Sequence, residues 1–209
     1  MRLGLNFGFR HLDPRAVEQA AIKLAKAEAA IARLLSADNY QTAEDGWMDF
    51  LQAASTVYSK LEQGAKGAGK SRTWFGLKKK QRRDDPLLRY LHFARNAEEH
   101  GVEPVTERDP ASGERALGFG KREDFIGEIR DASGTVVAKD LVVAMFGPTI
   151  RLVRAHDRRF GDFCDPPASH LGQRIQFHDL RPGEVGKLGL TYLRMLIDEA
   201  RALSAPLAP

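Results

Sequence analysis

The stretch from Asp84 to Gly101, DDPLLRYLHFARNAEEHG, carries an unusual set of side chains for one face of a helix. Turning each residue by about 100° places two imidazoles, a guanidinium, an amide and a carboxylate on one broad arc. These groups belong to His92, Arg95, Asn96, Glu99 and His100. A solvated helix face more commonly carries Lys and Glu pairs. Because imidazoles transfer protons and a guanidinium grips phosphate oxygens, the set indicates acid–base chemistry at a phosphate group.

The same stretch has clear helix boundaries. Asp85 and Pro86 are an acidic cap and a first-turn proline, and Gly101 is typical of a helix end. The opposite arc is apolar and predicts contact with a core. Its members are Leu87, Tyr90, Leu91, Ala94 and Ala97.

The run from Arg95 to His100, RNAEEH, resembles the motif of HEPN domains, in which four to six residues separate an Arg from a His. In that family the residue after the Arg is often Asn, as Asn96 is here. HEPN domains are helical bundles that include many metal-independent ribonucleases. The resemblance therefore implies an RNA endonuclease with Arg95, Asn96 and His100 as catalytic residues, and His92, Glu98 and Glu99 as residues of second rank.

The implied reaction needs no metal and no other cofactor. A base activates the 2′-hydroxyl of RNA, an acid protonates the leaving 5′-oxygen, and a cation stabilises the charge on phosphorus. In HEPN ribonucleases two motifs meet across a dimer. Since this chain has one helical copy of the motif, the resemblance implies a homodimer with a composite site.

A second pair, Arg151 and His156, has the same spacing but a different context. The surrounding residues, TIRLVRAHD, are typical of a strand, where an odd spacing sends the two side chains to opposite faces. The helical context therefore favours Arg95 and His100.

The densest basic cluster precedes the motif helix and predicts contact with nucleic acid. It consists of Lys78, Lys79, Lys80, Arg82 and Arg83, with Trp74 available for base stacking. We expect the stretch from Gly64 to Arg83 to be a loop, because it contains several glycines and the charge run. A merely solvated segment, with Trp74 closing the end of a helical bundle, is the alternative.

Composition narrows the class of protein. The chain has 209 residues, a net charge of +4 and a single cysteine, Cys164, so an internal disulfide is excluded. The N-terminus has no secretory pattern, and no apolar run reaches the about 20 residues that span a bilayer. These features predict a cytoplasmic protein that does not cross a membrane.

The periodicities predict a mainly α fold, an up-and-down four-helix bundle with a small antiparallel β-sheet insertion. Residues 13–101 and 183–204 are expected to form the bundle. Residues 104–180 are expected to form the β-rich insertion, with a long irregular loop over 157–176. The predicted helices are Pro14 to Ala37, Thr42 to Gly64, Pro86 to His100 and Gly183 to Leu203.

The sequence leaves two other functions open. The predicted irregular loop and the residue before it contain side chains of the types that bind metals and one potential nucleophile, but their spacing matches no diagnostic motif. These residues are His156, Asp157, Asp162, Cys164, Asp165 and His170. Many HEPN domains are also non-catalytic modules that bind RNA, nucleotides or protein partners. An antitoxin-like protein partner is therefore a further expectation from the resemblance.

Overall fold

The computed structural model describes residues 12–67, 69–101, 103–109, 115–119, 127–145, 150–157, 161–176 and 180–204. The chain is mainly helical with small antiparallel sheets. In chain order the helices are α1 (Pro14–Leu35), α2 (Tyr40–Ala65), α3 (Gly69–Asp84), α4 (Pro86–His100) and α5 (Pro182–Ser204). No helix within these ranges is both long and apolar enough to cross a membrane.

Three helices begin at capping residues. The side chain of Asp13 accepts a hydrogen bond from the backbone N–H of Arg15 at the start of α1 (2.9 Å), with Pro14 in the first turn. Asn39 caps α2 in the same way, and Asp85 followed by Pro86 begins α4. Each cap satisfies a backbone donor that the helix leaves unpaired. The predicted start and end of α4 are confirmed.

The core lies around α2, which contacts each of the other four helices. Trp47 and Phe50 of α2 are fully buried, with ring centroids 5.4 Å apart, and Leu196 of α5 is equally buried. The apolar arc predicted for α4 is also confirmed: Leu87, Tyr90, Leu91, Ala94 and Ala97 are all buried. These contacts leave the opposite face of α4 directed away from the core.

Close packing of α2 against α1 depends on a glycine. A methyl group added at Gly64 would lie 2.5 Å from the Cβ atom of Ala16, and neither carbon can rotate away. Gly76 of α3 has nothing within 4 Å of the same position. The two glycines therefore form a matched pair for testing this contact.

We expect Gly64→Ala to lower the free energy of unfolding by about 1 to 3 kcal/mol, because overpacking outweighs the gain in helix propensity. Gly76→Ala should raise the free energy of unfolding by up to about 1 kcal/mol, because an alanine there gains propensity without a clash. Urea unfolding measures both. Equal stabilisation by the two substitutions would contradict the packing.

All the described strands lie between α4 and α5. They are β1 (Thr106–Arg108), β2 (Arg115–Phe119), β3 (Gly127–Arg130), β4 (Val136–Met145), β5 (Ile150–Leu152), β6 (Ala155–Asp157), β7 (Asp162–Cys164), β8 (Ser169–His170) and β9 (Gln173–Arg174). β4 is central in a sheet of order β2-β4-β3, and the other strands form the antiparallel pairs β1-β5, β6-β7 and β8-β9. A turn that begins at Asp131 joins β3 to β4, with Gly134 at φ 83°.

The predicted loop from Gly64 to Arg83 is wrong, because residues 69–84 form α3. Lys, Arg and Gln are good helix formers, and this segment contains no proline to interrupt them. Only Ser71 and Phe75 of α3 are buried. The helix thus rests on a narrow contact, which weakens the periodic signal that identifies a helix from sequence.

The predicted irregular loop over 157–176 is also more ordered than expected. Residues 161–176 contain β7, β8 and β9, and β7 pairs with β6. The second Arg–His pair with the motif spacing lies on two strands: Arg151 is in β5 and His156 is in β6. The expected strand context of that pair is confirmed, although the strand is interrupted at Val153 and Arg154.

Candidate functional site

The polar face of α4 holds Arg95 in a network of side chains. Its Nε atom donates to Oε1 of Gln52 on α2 (3.0 Å), and Nη1 donates to Oδ1 of Asn96 (3.2 Å). Arg95 also forms an ion pair with Glu99, one helical turn later. The Arg95 side chain is only 21% exposed. Gln52, Asn96 and Glu99 cover the guanidinium and hold it in place.

Of the three residues that the motif singles out, the structure brings two into contact, Arg95 and Asn96. His100 is the last residue of α4, and its side chain lies outside the described part of the chain. Glu98 is exposed on the same helix. The arrangement supplies a guanidinium and an amide side by side, with a carboxylate neutralising the guanidinium.

His92 lies one turn before Arg95, and its surroundings change its pKa strongly. Burial lowers its pKa to about 4, and the positive charges of Arg82 and Arg95 act in the same direction. Its Nδ1 atom is buried and has no hydrogen-bond partner among the described residues. The ring is therefore neutral at pH 7 and has an unsatisfied polar atom, which is unusual in a folded protein.

The lowered pKa of His92 makes stability depend on pH. Below about pH 6.5 the unfolded chain protonates this histidine while the folded chain does not, so stability falls as pH falls towards about 4. We expect His92→Gln to reduce the slope of unfolding free energy against pH by up to about 1.4 kcal/mol per pH unit in this window. Urea unfolding at a series of pH values measures it. The exposed His156 provides the control, and a slope unchanged by His92→Gln would contradict the burial of a neutral imidazole.

A cationic cleft lies between α3 and α4, with a volume of about 520 Å³. Its cationic lining residues are Lys79, Lys80, Arg82, Arg83 and Arg89, and the others are Gly76, His92 and Phe93. No acidic side chain appears among the described residues that line it. The cleft therefore concentrates positive charge beside the polar face of α4, which favours an anion.

The cations of this cleft are held loosely. Lys79 pairs with Glu62 of α2 (2.9 Å), and Lys80 and Arg83 share Asp84 at the end of α3. These pairs are largely exposed, and such pairs contribute little stability. An incoming phosphate can therefore replace the carboxylates at small cost.

The two remaining cations of the cleft differ from the others. The guanidinium of Arg82 lies over the ring of Tyr58, 4.5 Å from its centroid, and this cation–π contact fixes its position. The side chain of Arg89 on α4 is exposed and makes no hydrogen bond or salt bridge with any residue in the described ranges. Arg89 is the cation of the cleft that the sequence did not predict, because it lies outside the basic run.

Two of the residues predicted to contact nucleic acid, Trp74 and Lys78, contact α5 and do not line the cleft. Nζ of Lys78 binds Oε1 of Glu199 on α5 (2.7 Å), and Nε1 of Trp74 donates to Oε2 of the same residue (2.8 Å). The Trp74 ring also contacts the buried ring of Phe75. These contacts match the alternative in which Trp74 closes an end of the helical core. Phe93 is the aromatic residue that lines the cleft.

The strand pair β6-β7 contains four of the six residues considered for metal or cysteine chemistry, whereas Asp165 follows β7 and His170 lies in β8. His156 lies opposite Phe163, and Asp157 lies opposite Asp162. Cys164 is buried, and burial raises the pKa of its thiol, which disfavours a reactive thiolate. Among the described residues no group of three or more His, Cys, Asp or Glu side chains is arranged to hold a metal ion.

Comparison of the chain with protein-family models, curated proteins and solved structures finds no match. The site must therefore be interpreted from its own geometry. That geometry combines an open cationic cleft, a half-buried neutral histidine in its wall, and a guanidinium and an amide one turn beyond that histidine.

Proposed function

We propose that the protein binds RNA along the cationic cleft between α3 and α4. The observation that carries this proposal is the cleft lining: five cationic side chains and no acidic side chain among the described residues. Each nucleotide of RNA brings one phosphate, and each phosphate neutralised by Lys or Arg releases bound counterions, which drives association. The cleft matches that partner in charge and in its open shape.

An extended backbone fits the cleft better than a compact anion does. Lys79, Lys80, Arg82 and Arg83 follow one another over about one and a half turns of α3, so their charges are spread along the cleft rather than focused on one point. Phe93 lines the same cleft and is partly exposed. A base of single-stranded RNA can stack on such a ring, and this kind of contact is tolerant of sequence. The resemblance to HEPN domains favours RNA over DNA.

Titration with a short single-stranded oligoribonucleotide tests where RNA binds. We expect the largest changes in backbone amide chemical shift over residues 76–93, with the ring signals of Phe93 among them. The exposed first turns of α1 serve as the internal reference and should not change. Changes spread evenly over the surface, or confined to the strands, would refute this location.

The second candidate function is RNA cleavage without a metal. It is favoured by the position of Arg95 and Asn96, which lie one turn beyond His92 of the cleft wall. In this proposal Arg95 exchanges Glu99 for phosphate oxygens, Asn96 orients the phosphate or the sugar, and His100 transfers a proton. A phosphate close to His92 would raise the pKa of that imidazole and bring it into the same proton transfer. Cleavage should persist in the presence of a metal chelator.

The contacts of Arg95 also support a non-catalytic alternative. Gln52, Asn96 and Glu99 already satisfy much of its guanidinium, as in a structural arginine. RNA that is bound but never cut would leave the protein as an RNA-binding module. The cleavage assay thus separates the two functions, while RNA binding is common to both.

The catalytic proposal includes a homodimer. It also includes a HEPN-type bundle formed by α1, α2, α4 and α5, and control of the protein by an antitoxin-like partner. Two copies of α4 would supply two sets of Arg95 and His100 to one RNA phosphate. We expect light scattering at micromolar concentration to give the mass of a dimer, twice 23.2 kDa. A monomer under these conditions would exclude the composite site and leave only the binding function.

A further inference from the structure

A second cleft, of about 390 Å³, lies between α5 and the hairpin formed by β8 and β9. It shares no lining residue with the cationic cleft and plays no part in the proposed RNA binding. The polar residues that line it are His170, Gln173, Arg174, Glu184, Lys187 and Thr191. Its geometry indicates a separate ligand site.

The most distinctive feature of this second cleft is the pairing of His170 with Asp85. Nδ1 of His170 lies 3.0 Å from Oδ1 of Asp85, and the Asp85 carboxylate also accepts the backbone N–H of Leu171 at Oδ2 (2.6 Å) and that of Leu88 at Oδ1 (2.9 Å). Both side chains are largely buried, with 11% of His170 and 6% of Asp85 exposed. Because a carboxylate only accepts, the hydrogen of the imidazole lies on Nδ1. In the neutral ring Nε2 is then an acceptor.

The ring of His170 is held in a defined orientation. It packs edge-on against Tyr192, with ring centroids 5.9 Å apart. The tight turn after it places Leu171 at φ 48° and Gly172 at φ 80°, and the bond from Leu171 to Asp85 anchors this turn. Nε2 of His170 has no hydrogen-bond partner among the described residues. The cleft therefore contains an oriented imidazole whose Nε2 atom is available to a ligand.

The charges around His170 define what the donor group must be attached to. Lys187 pairs with Glu184 (2.6 Å), and the two neutralise each other. The side chain of Arg174 is exposed and forms no hydrogen bond or salt bridge within the described ranges. Among the described side chains that line this cleft, Arg174 is therefore a cation without a carboxylate partner, and Nε2 of His170 lines the same cleft. Asp85 does not repel an anion strongly, because its oxygens already accept N–H groups from three residues.

We propose that this cleft binds a small oxyanion that carries a hydroxyl group, with hydrogen phosphate as the simplest example. The O–H group donates to Nε2 of His170, while the anionic oxygens contact Arg174 and Lys187. This proposal does not rest on RNA binding, since it uses none of the same residues. A carboxylate with a neighbouring hydroxyl would satisfy the same requirements.

Isothermal titration calorimetry with matched anions tests the proposal. At pH about 8 hydrogen phosphate is a dianion that retains an O–H group, whereas sulfate is a dianion that has none. We expect hydrogen phosphate to bind about tenfold more tightly than sulfate at equal ionic strength, since one hydrogen bond to a charged group separates them. Glycolate against acetate provides the same comparison for carboxylates.

Two variants identify the site. Arg174→Gln should weaken hydrogen phosphate binding at least about threefold, whereas Arg15→Gln, at an exposed arginine on α1, should leave it unchanged. His170→Phe keeps a ring against Tyr192 and should abolish the preference for hydrogen phosphate over sulfate. A preference for glycolate alone would assign the site to hydroxy acids. Equal binding within both anion pairs, or unchanged binding in Arg174→Gln, would overturn the proposal.

Discussion

Replacing Lys79, Arg83 and Arg89 together by Gln should weaken RNA binding by at least about a hundredfold at low salt, because each lost phosphate contact removes counterion release. All three side chains are exposed and line the cleft, so their loss opens no core cavity. The slope of log affinity against log salt should also fall by about 2, at about 0.7 per contact on a single strand. Fluorescence anisotropy of a labelled oligoribonucleotide measures both quantities.

A second triple variant provides the control for net charge. The control replaces Arg15, Lys26 and Arg201, which are exposed on α1 and α5 and do not line the cleft. Their replacement by Gln removes the same number of positive charges, three. We expect less than a fivefold loss of affinity from this change, because distant exposed charges are screened by salt. Equal losses in the two variants would show that RNA responds to overall charge and not to the cleft.

For cleavage, the largest expected effect comes from the motif on α4. Arg95→Ala and His100→Ala should each lower the cleavage rate by about two orders of magnitude or more. A positioned proton-transfer group such as His100 is typically worth about 10²–10⁴-fold, and a group that stabilises transition-state charge, as Arg95 does here, about 10²–10³-fold. RNA affinity should change much less. The products should carry 2′,3′-cyclic phosphate ends, since the attacking group is the 2′-hydroxyl of RNA. Gel analysis of a labelled RNA in the presence of a chelator measures the rate and the end groups.

Arg151→Ala and His156→Ala are the matched controls, because this pair has the motif spacing on strands β5 and β6. Neither should slow cleavage. Arg95→Ala requires one further control, since the residue bonds to Gln52 of α2. If Gln52→Ala slowed cleavage as much as Arg95→Ala did, Arg95 would be a structural residue. Parent-like cleavage by the Arg95 and His100 variants would remove the catalytic assignment.

The helices that the sequence predicted share strong local signals. α4 begins at Asp85 and Pro86 and ends before Gly101, and its apolar residues recur at helical spacing. α1 likewise begins with Asp13 and Pro14. A cap and an amphipathic period are both local properties, so they can be identified without knowledge of the neighbours.

α3 could not be predicted in this way, because its stability depends on distant residues. The helix buries little of itself, and Trp74 and Lys78 attach it to Glu199, more than 100 positions later in the chain. Its glycines and its run of charges are typical of a loop when judged alone. These tertiary contacts add to the helix propensity of its Lys, Arg and Gln residues.

The candidate site shows the same division between local and distant information. The basic run indicated an anion site, but only the fold shows that Lys79 and Arg83 line a cleft while Lys78 faces α5. Arg89 joins the cleft from the neighbouring helix. The pairing of Asp85 with His170 spans 85 positions and has no sequence signature, because one partner serves as a helix cap and the other lies in a short hairpin.

The salt dependence of RNA affinity tests the central claim most directly. The cleft contains five cationic side chains, so we expect log affinity for single-stranded RNA to fall linearly with log salt concentration, with a slope between about −2 and −3.5 at about −0.7 per phosphate. Replacing Lys79, Arg83 and Arg89 by Gln should make that slope shallower by about 2, to between about 0 and −1.5. Absence of measurable RNA binding by the parent protein at low salt would contradict the account, as would a slope that the cleft variant leaves unchanged.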